Sequence, residues 1–356
     1  MARPSRCSEC SRGSLLPQYL GGEFPVSDNW KFFEGGDSDW DELLRQLGQM
    51  CVFQSSRWAR HKSSTGWSAA RIVKKAGDSQ IAIQCLVRKG PFGIAMAWAP
   101  GGFAGDLSLA DNVFASSLKR LLKSRLVYVR FGMMIDLSSG DASLLANAGF
   151  RKSKNPIGAK QSMLLSISSD QESMLSTASS NWKRNHKRSL RTPSSPYVWN
   201  DASPEQLEAA YQAMDEFKKV EGVKLHMSAS DIRSVQECFE HDLVLIRMDN
   251  EHGELLSVRG ALVQQSTAWD FIAVTTPDGR KTYSSHRTLL ALAQECARRG
   301  CTTLELGGID PEKNKGVFDF KNGTGARITT YLGEWETANP SLIRPVISRI
   351  VSAKAQ

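Results

Sequence analysis

The 356-residue chain has no uninterrupted apolar run of the roughly 18 residues that a spanning helix requires, so no membrane span is expected. Its first residues, MARPSRCSECSRG, are basic but have no apolar stretch behind them, which is not the pattern of a secretory signal. Cysteine is scarce and odd in number, at seven. Cys51, Cys85, Cys238, Cys296 and Cys301 stand singly within apolar patterns, as small buried residues of a reducing compartment do, and a cytoplasmic location is expected. Cys7 and Cys10 form a C-x-x-C, but neither a second pair nor a suitably spaced histidine follows, so no metal site is expected. The six histidines show no H-x-x-x-H spacing and no Ser–His–Asp arrangement, and His61 and His286 read as helix-surface residues.

What is present is an ordinary globular composition, 41% hydrophobic and 23% charged, in a chain long enough for two domains. The net charge of +8 favours an anionic partner without choosing among nucleic acid, nucleotide phosphates and an anionic membrane face. Residues 1–38 carry Gly, Pro and Ser with little periodicity and read as a loose N-terminal segment. Helical spacing of Trp40, Leu43, Leu44 and Leu47 is followed by a second helix over Gln54–Lys62, with Trp58 on one face and Arg57, Arg60, His61 and Lys62 around it. Strand patterns occupy Ser68–Lys74, Gln80–Arg88 and Gly93–Ala99. A helix over Leu109–Lys123, a strongly apolar strand over Leu126–Ile135, a short helix over Ala142–Ala148 and a strand over Gln161–Ile167 complete the first half.

The second half repeats that order without a residue-level repeat. The spacing predicts one helix over Asp170–Leu190, then a helix opened by the capping box Ser203-Pro204-Glu205-Gln206. Strands follow at Leu243–Met248, Leu255–Gln264 and Ala268–Val274, then a helix over Ser285–Arg299. The stretch Thr302–Glu336 ends the half: a strand breaks at Gly307–Gly308, Asp310–Pro311 reads as a turn and helix start, Lys321 sits on that helix, and another strand begins near Ile328. Asp310 could serve a general base or simply form the turn. A repeated strand–strand–strand–helix–strand–helix–strand order resembles the GNAT (acyl-CoA N-acyltransferase-like) fold. The expected class is therefore α/β, two tandem GNAT-like domains with mixed sheets over 39–168 and 169–339. A C-terminal helix within 340–356 is expected to complete the first.

In acyl-CoA-dependent members of that fold a Gly-rich loop cradles the donor pyrophosphate. Neither TTPDGRKTYSSHRTLL, after Ala268–Val274, nor DLSSGDASLL, after Leu126–Ile135, has that pattern. A coenzyme donor is thus disfavoured and no cofactor is expected. The run Lys183, Arg184, His186, Lys187, Arg188, Arg191 contains no acid. Its Arg184, Lys187 or Arg188, and Arg191 would share a helix face opposite Trp182, suited to phosphates.

Several segments together resemble the Fem family of aminoacyl-tRNA-dependent peptidoglycan transferases. They are Gln54-Ser55-x-x-Trp58-x-x-x-Lys62, Ala99-Pro100-Gly101-Gly102 and Asn181-Trp182-Lys183-Arg184-Asn185-x-Lys187-Arg188. Leu306-Gly307-Gly308-Ile309-Asp310-Pro311 through Gly316-Val317-Phe318-x-Phe320-Lys321, then Tyr331-x-Gly333-Glu334, is the most specific. The resemblance implies a direct attack of an acceptor amine on the ester of aminoacyl-tRNA, with Lys321 as the catalytic cation. It implies Trp58 and Lys62 as contacts to a nucleotide- or lipid-linked muropeptide, with Ser285 and Arg287 beside them. Lys183, Arg184, Lys187, Arg188 and Arg191 would meet the tRNA backbone. Lys224 and His226 stand where the family has an Arg and a Tyr, and the family's coiled-coil arm is absent, since Trp182–Arg191 runs quickly into Pro193 and Pro196. Peripheral membrane contact is compatible with such an acceptor. Two other readings remain open at this point: a GNAT-type N-acyltransferase using an acyl thioester for polysaccharide or other envelope modification, and a tRNA- or phosphate-binding module without activity.

Overall fold

The computed structural model describes residues 30–49, 51–137, 140–218 and 228–355. The first half opens with β1 (Lys31–Phe32) and α1 (Asp37–Gln46), whose Asp39 carboxylate accepts from the Gly36 N–H at 2.8 Å and whose Trp40 and Leu44 bury one turn apart. Next is α2 (Ser56–Ser63), which starts later than the spacing predicted. Val52–Gln54 forms a 3-10 turn, and Ser55 becomes the N-cap, its Oγ accepting from the Trp58 N–H at 3.2 Å. Strands β2 (Ser68–Ala76), β3 (Ser79–Lys89), β4 (Ile94–Gly101) and β5 (Ala104–Gly105) follow.

Helix α3 (Phe114–Leu121) is shorter than the expected Leu109–Lys123. Ala110 is extended, and the Asp111 carboxylate that follows accepts from Trp30 Nε1 at 2.9 Å and from Lys74 Nζ at 2.7 Å, which holds the chain off the helical path. The half closes with β6 (Leu126–Asp136), α4 (Asp141–Asn147), β7 (Arg151–Lys152) and β8 (Gln161–Ser166).

In the second half the single helix expected over Asp170–Leu190 is two, α5 (Gln171–Thr177) and α6 (Ser180–Ser189). Ala178 and Ser179 between them are extended. Ser179 donates its N–H to the Gly323 carbonyl at 2.8 Å while its Oγ accepts from the Trp182 N–H at 3.3 Å, so one residue ends the first helix and caps the next. After β9 (Tyr197–Val198) comes α7 (Pro204–Lys218), with the capping box as read: Ser203 N–H to Gln206 Oε1 at 3.0 Å and Gln206 N–H to Ser203 Oγ at 3.2 Å.

Helix α8 (Ala229–Phe239) was not expected, although Ser228 followed by Asp231, with Ile232, Val235 and Phe239 at helical spacing, spells it. Then come β10 (Leu243–Asp249), β11 (Leu255–Gln264), β12 (Thr267–Thr275), α9 (Pro277–Lys281), α10 (Ser284–Arg298), β13 (Thr303–Gly308), α11 (Lys315–Asn322), β14 (Arg327–Asn339) and α12 (Arg344–Ala355). Asp310 does not start a helix. It is exposed, and its carboxylate accepts from the Glu312 and Lys313 N–H groups at 3.1 and 2.9 Å, while Asn314 caps α11.

All strands join in one mixed sheet, ordered β1-β2-β3-β4-β6-β14-β8-β13-β12-β11-β10-β9, with β5 beside β3 and β7 beside β14. Two strands cross between halves. The residues of β14 from Arg327 to Thr330 pair with β8, and those from Tyr331 to Asn339 pair with β6. The register shifts between Tyr331 and Gly333, where Gly333 takes φ +84°. Strand β8, read in sequence with the first half, lies between β14 and β13.

The two parallel pairs behave differently. Strands β4 and β6 stay in register from Ile94–Leu126 to Gly101–Met133. Strands β12 and β13 pair only from Thr267–Thr303 to Trp269–Glu305 and then diverge. An apolar core of Trp30, Phe103, Phe114, Phe131 and Phe150 in edge and tilted contacts fills the first half.

Candidate functional site

Where β12 and β13 separate, charged side chains enter an otherwise apolar interior. Asp270 on β12 accepts from Arg259 on β11 through both carboxylate oxygens, at 3.2 and 2.5 Å, and both side chains are buried. Glu305, at the last paired position of β13, is buried. It accepts from the Ser162 hydroxyl, from the Gly307 N–H at 3.0 Å and from the Tyr331 hydroxyl at 3.2 Å, and burial pushes its carboxyl above the usual range. Lys321 on α11 reaches into the same space. Its Nζ donates to the Gly307 and Gly308 carbonyls at 3.1 and 2.9 Å. Only 8% of Lys321 is exposed, and burial lowers the ammonium's pKa, with Asp270 and Glu305 acting against that shift. Gly307 adopts φ +77°, and this left-handed turn aims its carbonyl at the lysine.

In front of this charge cluster is a cavity of about 490 Å³ at the junction of the two halves. Phe53, Trp98, Met134, Trp269 and Phe271 supply apolar wall. Glu305, Gly307 and Gly308 form its floor toward Lys321, and Lys152 and Lys160 add cations from the 151–160 segment. The volume suits a drug-sized or aminoacyl-sized group. Lys321 itself is not a wall residue: it lies behind Gly307 and Gly308.

The remaining candidates fall into two groups. Trp58 and Lys62 lie together on α2, with the Lys62 ammonium 4.6 Å from the Trp58 ring centroid and its pKa lowered by burial. Trp58 packs on Phe53 and Phe271, which line the cavity, so α2 joins the halves there. Arg57, on the same helix, pairs with Asp242 and donates to Gln264 Oε1 at 2.9 Å. On the other side α6 exposes Lys183, Arg184, Lys187, Arg188 and, just past its end, Arg191, while Trp182, His186 and Ser189 are buried. Trp182 contacts His286 on α10 and Phe320 on α11, which seats the basic helix against the one carrying Lys321.

Arg287 donates to the Thr192 and Ser194 carbonyls at 3.1 and 2.7 Å, tying down the loop after α6, and Ser285 is half-buried in the first turn of α10. Lys224 and His226 lie outside the described residues, as do Cys7 and Cys10. His61 and His286 are not surface residues. Each is buried and its pKa is lowered to about 4 by burial; His61 Nδ1 lies 3.1 Å from Ser234 Oγ on α8.

The GNAT fold implies a coenzyme-A donor held after β12. The residues present do not fit it. A Cβ placed on Gly279 would lie 2.0 Å from the Leu256 carbonyl oxygen, so the turn is pressed against β11. The Gly279 N–H goes to Thr276 Oγ1 at 3.1 Å and the Arg280 N–H to the Thr276 carbonyl at 2.9 Å, so this turn offers neither group to a phosphate. In the first half the topologically equivalent stretch follows β4, not β6 as the sequence reading took it. It too is closed, with the Phe103 N–H on Met133 Sδ and the Asp106 N–H on the Gln80 carbonyl.

The sequence reading did not single out Arg259, Asp270 or Glu305. The signal was there: one charge inside each of the apolar strands LLSVRGALVQ, TAWDFIAVT and TLELGG.

No protein-family model and no curated protein matches the chain. Among solved structures, FemX aligns at TM-score 0.73 and 16% identity, covering 89% of this chain and 100% of that one. A tandem GNAT protein from the clavulanic acid biosynthesis pathway aligns at 0.52 and 12%, covering 87% and 98%. The C-terminal DUF2156 domain assigned to a lysylphosphatidylglycerol synthetase of Agrobacterium fabrum aligns at 0.50 and 12%, covering 89% and 97%. The likeness is one of fold: a tandem GNAT architecture, with no coiled-coil arm among the described residues.

Proposed function

We propose that this chain, built on the tandem GNAT fold of FemX, is an aminoacyltransferase. It moves an amino acid from aminoacyl-tRNA to an amine of a peptidoglycan precursor. The observation that carries the reading is a buried ammonium, Lys321, held at the opened parallel pair directly behind an apolar cavity. The second support is the packed turn after β12, which argues against the usual alternative donor.

In this mechanism the acceptor amine attacks the ester carbonyl carbon. An N–C bond forms, the ester C–O bond breaks, and the terminal tRNA hydroxyl leaves with the proton that the amine releases. An apolar cavity favours the neutral amine over its ammonium, and only the neutral form attacks. The Lys321 charge, fixed in a low-dielectric setting, offsets the negative charge that grows on the ester oxygen. The rest comes from holding two large substrates in register. The exposed cations of α6 and Arg191 follow the tRNA backbone, a contact that weakens as salt rises. Trp58 and Lys62, with Ser285, Lys224 and His226, receive the muropeptide and its phosphates. Arg287 acts by fixing the loop after α6.

The test supplies purified protein with labelled aminoacyl-tRNA and a nucleotide-linked muropeptide, and separately with labelled acetyl-CoA. Label is expected to pass from tRNA to the muropeptide. Transfer from acetyl-CoA alone, or from no tRNA, would sink the reading and leave a GNAT-type N-acyltransferase or a binding module.

A further inference from the structure

Helix α12 is mounted with its polar side inward. The sheet surface beneath it is charged: Arg130 on β6 and Glu334 on β14 form a buried pair at 2.5 Å, and Glu336 accepts from Tyr128 at 2.6 Å. The helix meets that surface with polar residues one turn apart. Arg344 pairs with Glu336 at 2.9 Å, and Ser348 follows one turn later on the same side. Ser352 accepts from Arg130 at 3.3 Å and donates to the Asn155 carbonyl at 3.1 Å. Positions 346 and 350 fall on the opposite side of the coil, and position 342 is exposed in the 3-10 turn Ser341–Ile343 that leads into it. They are Leu342, Val346 and Ile350, which are 86%, 61% and 51% exposed. Pro345, Arg349 and Ala353 share that outward face.

We propose that this face docks the protein on an anionic lipid surface. Such a stripe on a short helix is the pattern of an interfacial helix, whose apolar side enters the boundary between headgroups and acyl chains. Charge supports the assignment. The segment Arg151–Lys160, joined to α12 at Asn155, exposes Arg151, Lys152, Lys154 and Lys160 and contains no carboxylate, and Arg349 lies within the stripe itself. Ile157, 46% exposed, adds an apolar side chain beside that joint. Three large side chains, two on the helix and one in the turn before it, are far below the roughly 20 residues a side of a stable protein interface, which argues against a second copy as the occupant. Lys152, Pro156 and Lys160 also line the cavity, so docking there would turn the cavity mouth toward groups carried on the membrane. The proposal goes beyond the transfer reaction and does not depend on it.

The experiment sediments the full chain with vesicles of phosphatidylcholine alone and with vesicles containing phosphatidylglycerol, with no donor or acceptor present. Binding is expected on the anionic vesicles, weaker on the neutral ones and falling with salt. Leu342→Ser, Val346→Ser and Ile350→Ser together should weaken it at least about tenfold. Arg349→Gln alone should weaken it about fivefold, which keeps the test available if the triple variant loses fold by its melting curve. Wild-type protein that ignores anionic vesicles, or binding indifferent to both variants, overturns the proposal. So does a vesicle-free dimer that the triple variant dissociates, which would give the face to a second copy.

Discussion

The two parallel strand pairs, β4·β6 and β12·β13, occupy the same place in each half and have opposite fates. In β4, Ala95, Ala97 and Ala99 bury small side chains against the aromatic core, and the pair stays closed to Gly101–Met133. Glu305 stands at the last paired position of β13 and Asp270 just past that of β12, and the strands part there. The closed pair has hydrophobic packing on its core side, as a scaffold does. The open pair holds charges that must be satisfied by neighbours from other strands and helices. One pair stays closed and gives the cavity one wall, and the other opens beside a buried cation and gives the facing wall.

Three measurements bear on that contrast. The largest effect is expected at the charges that replace packing in the open half. Asp270→Asn leaves Arg259 buried without its partner and should cost about 4 kcal/mol in urea unfolding. Adding Arg259→Met should return most of that. A loss no larger than that of an exposed substitution would mean the opening is not held by these charges.

Lys321→Ala should lower turnover about 100-fold in protein that still folds, at some cost in melting temperature for the lost burial, and Lys321→Arg should recover part of the turnover, read as kcat at saturating donor. If instead KM or the melting temperature carries the whole effect, the lysine belongs to the scaffold and the contrast between halves narrows.

The third measurement concerns pH. His61 and His286 have folded pKa values depressed to about 4, below the ordinary 6.5. Both are neutral in the fold while the unfolded chain takes up protons, so stability is full above pH 6.5 and is lost as pH falls toward 4. The slope should be about 1 kcal/mol per pH unit for each group. Replacing His286 with Phe should flatten the melting profile in that window, and an unchanged slope would refute its burial as a neutral ring.

Much of the fold could be read in the chain. The order of strands and helices, the Ser203–Gln206 capping box and the acid-free surface of α6 follow from local patterns, and the structure carries them. What was hidden has physical reasons. The break at Ala178–Ser179 is fixed by a bond to Gly323, more than 140 residues away, so no window around it announces the stop. Apolar spacing through Leu109–Lys123 looked helical because Asp111's partners, Trp30 and Lys74, are remote in sequence. For the candidate site, Lys321 and Trp58 were visible through motif spacing. Asp270, Arg259 and Glu305 were visible only as charges out of place in apolar strands. The passage of β14 from one half to the other left a single mark, Gly333 with its left-handed backbone at the register shift.

That passage has a consequence for any attempt to divide the molecule. A cut in the link between β8 and α5 would leave β8 on the N-terminal fragment and β14 on the C-terminal one. Each fragment would then hold a strand whose hydrogen-bonding partners lie on the other: β8 needs β13 and β14, and β14 needs β6 and β8. Each would also expose an unpaired edge, the usual template for aggregation. Cloned separately, the halves make poor modules. Produced together, they are obligate complements, and recovery of a folded product would report that both were synthesised in the same cell.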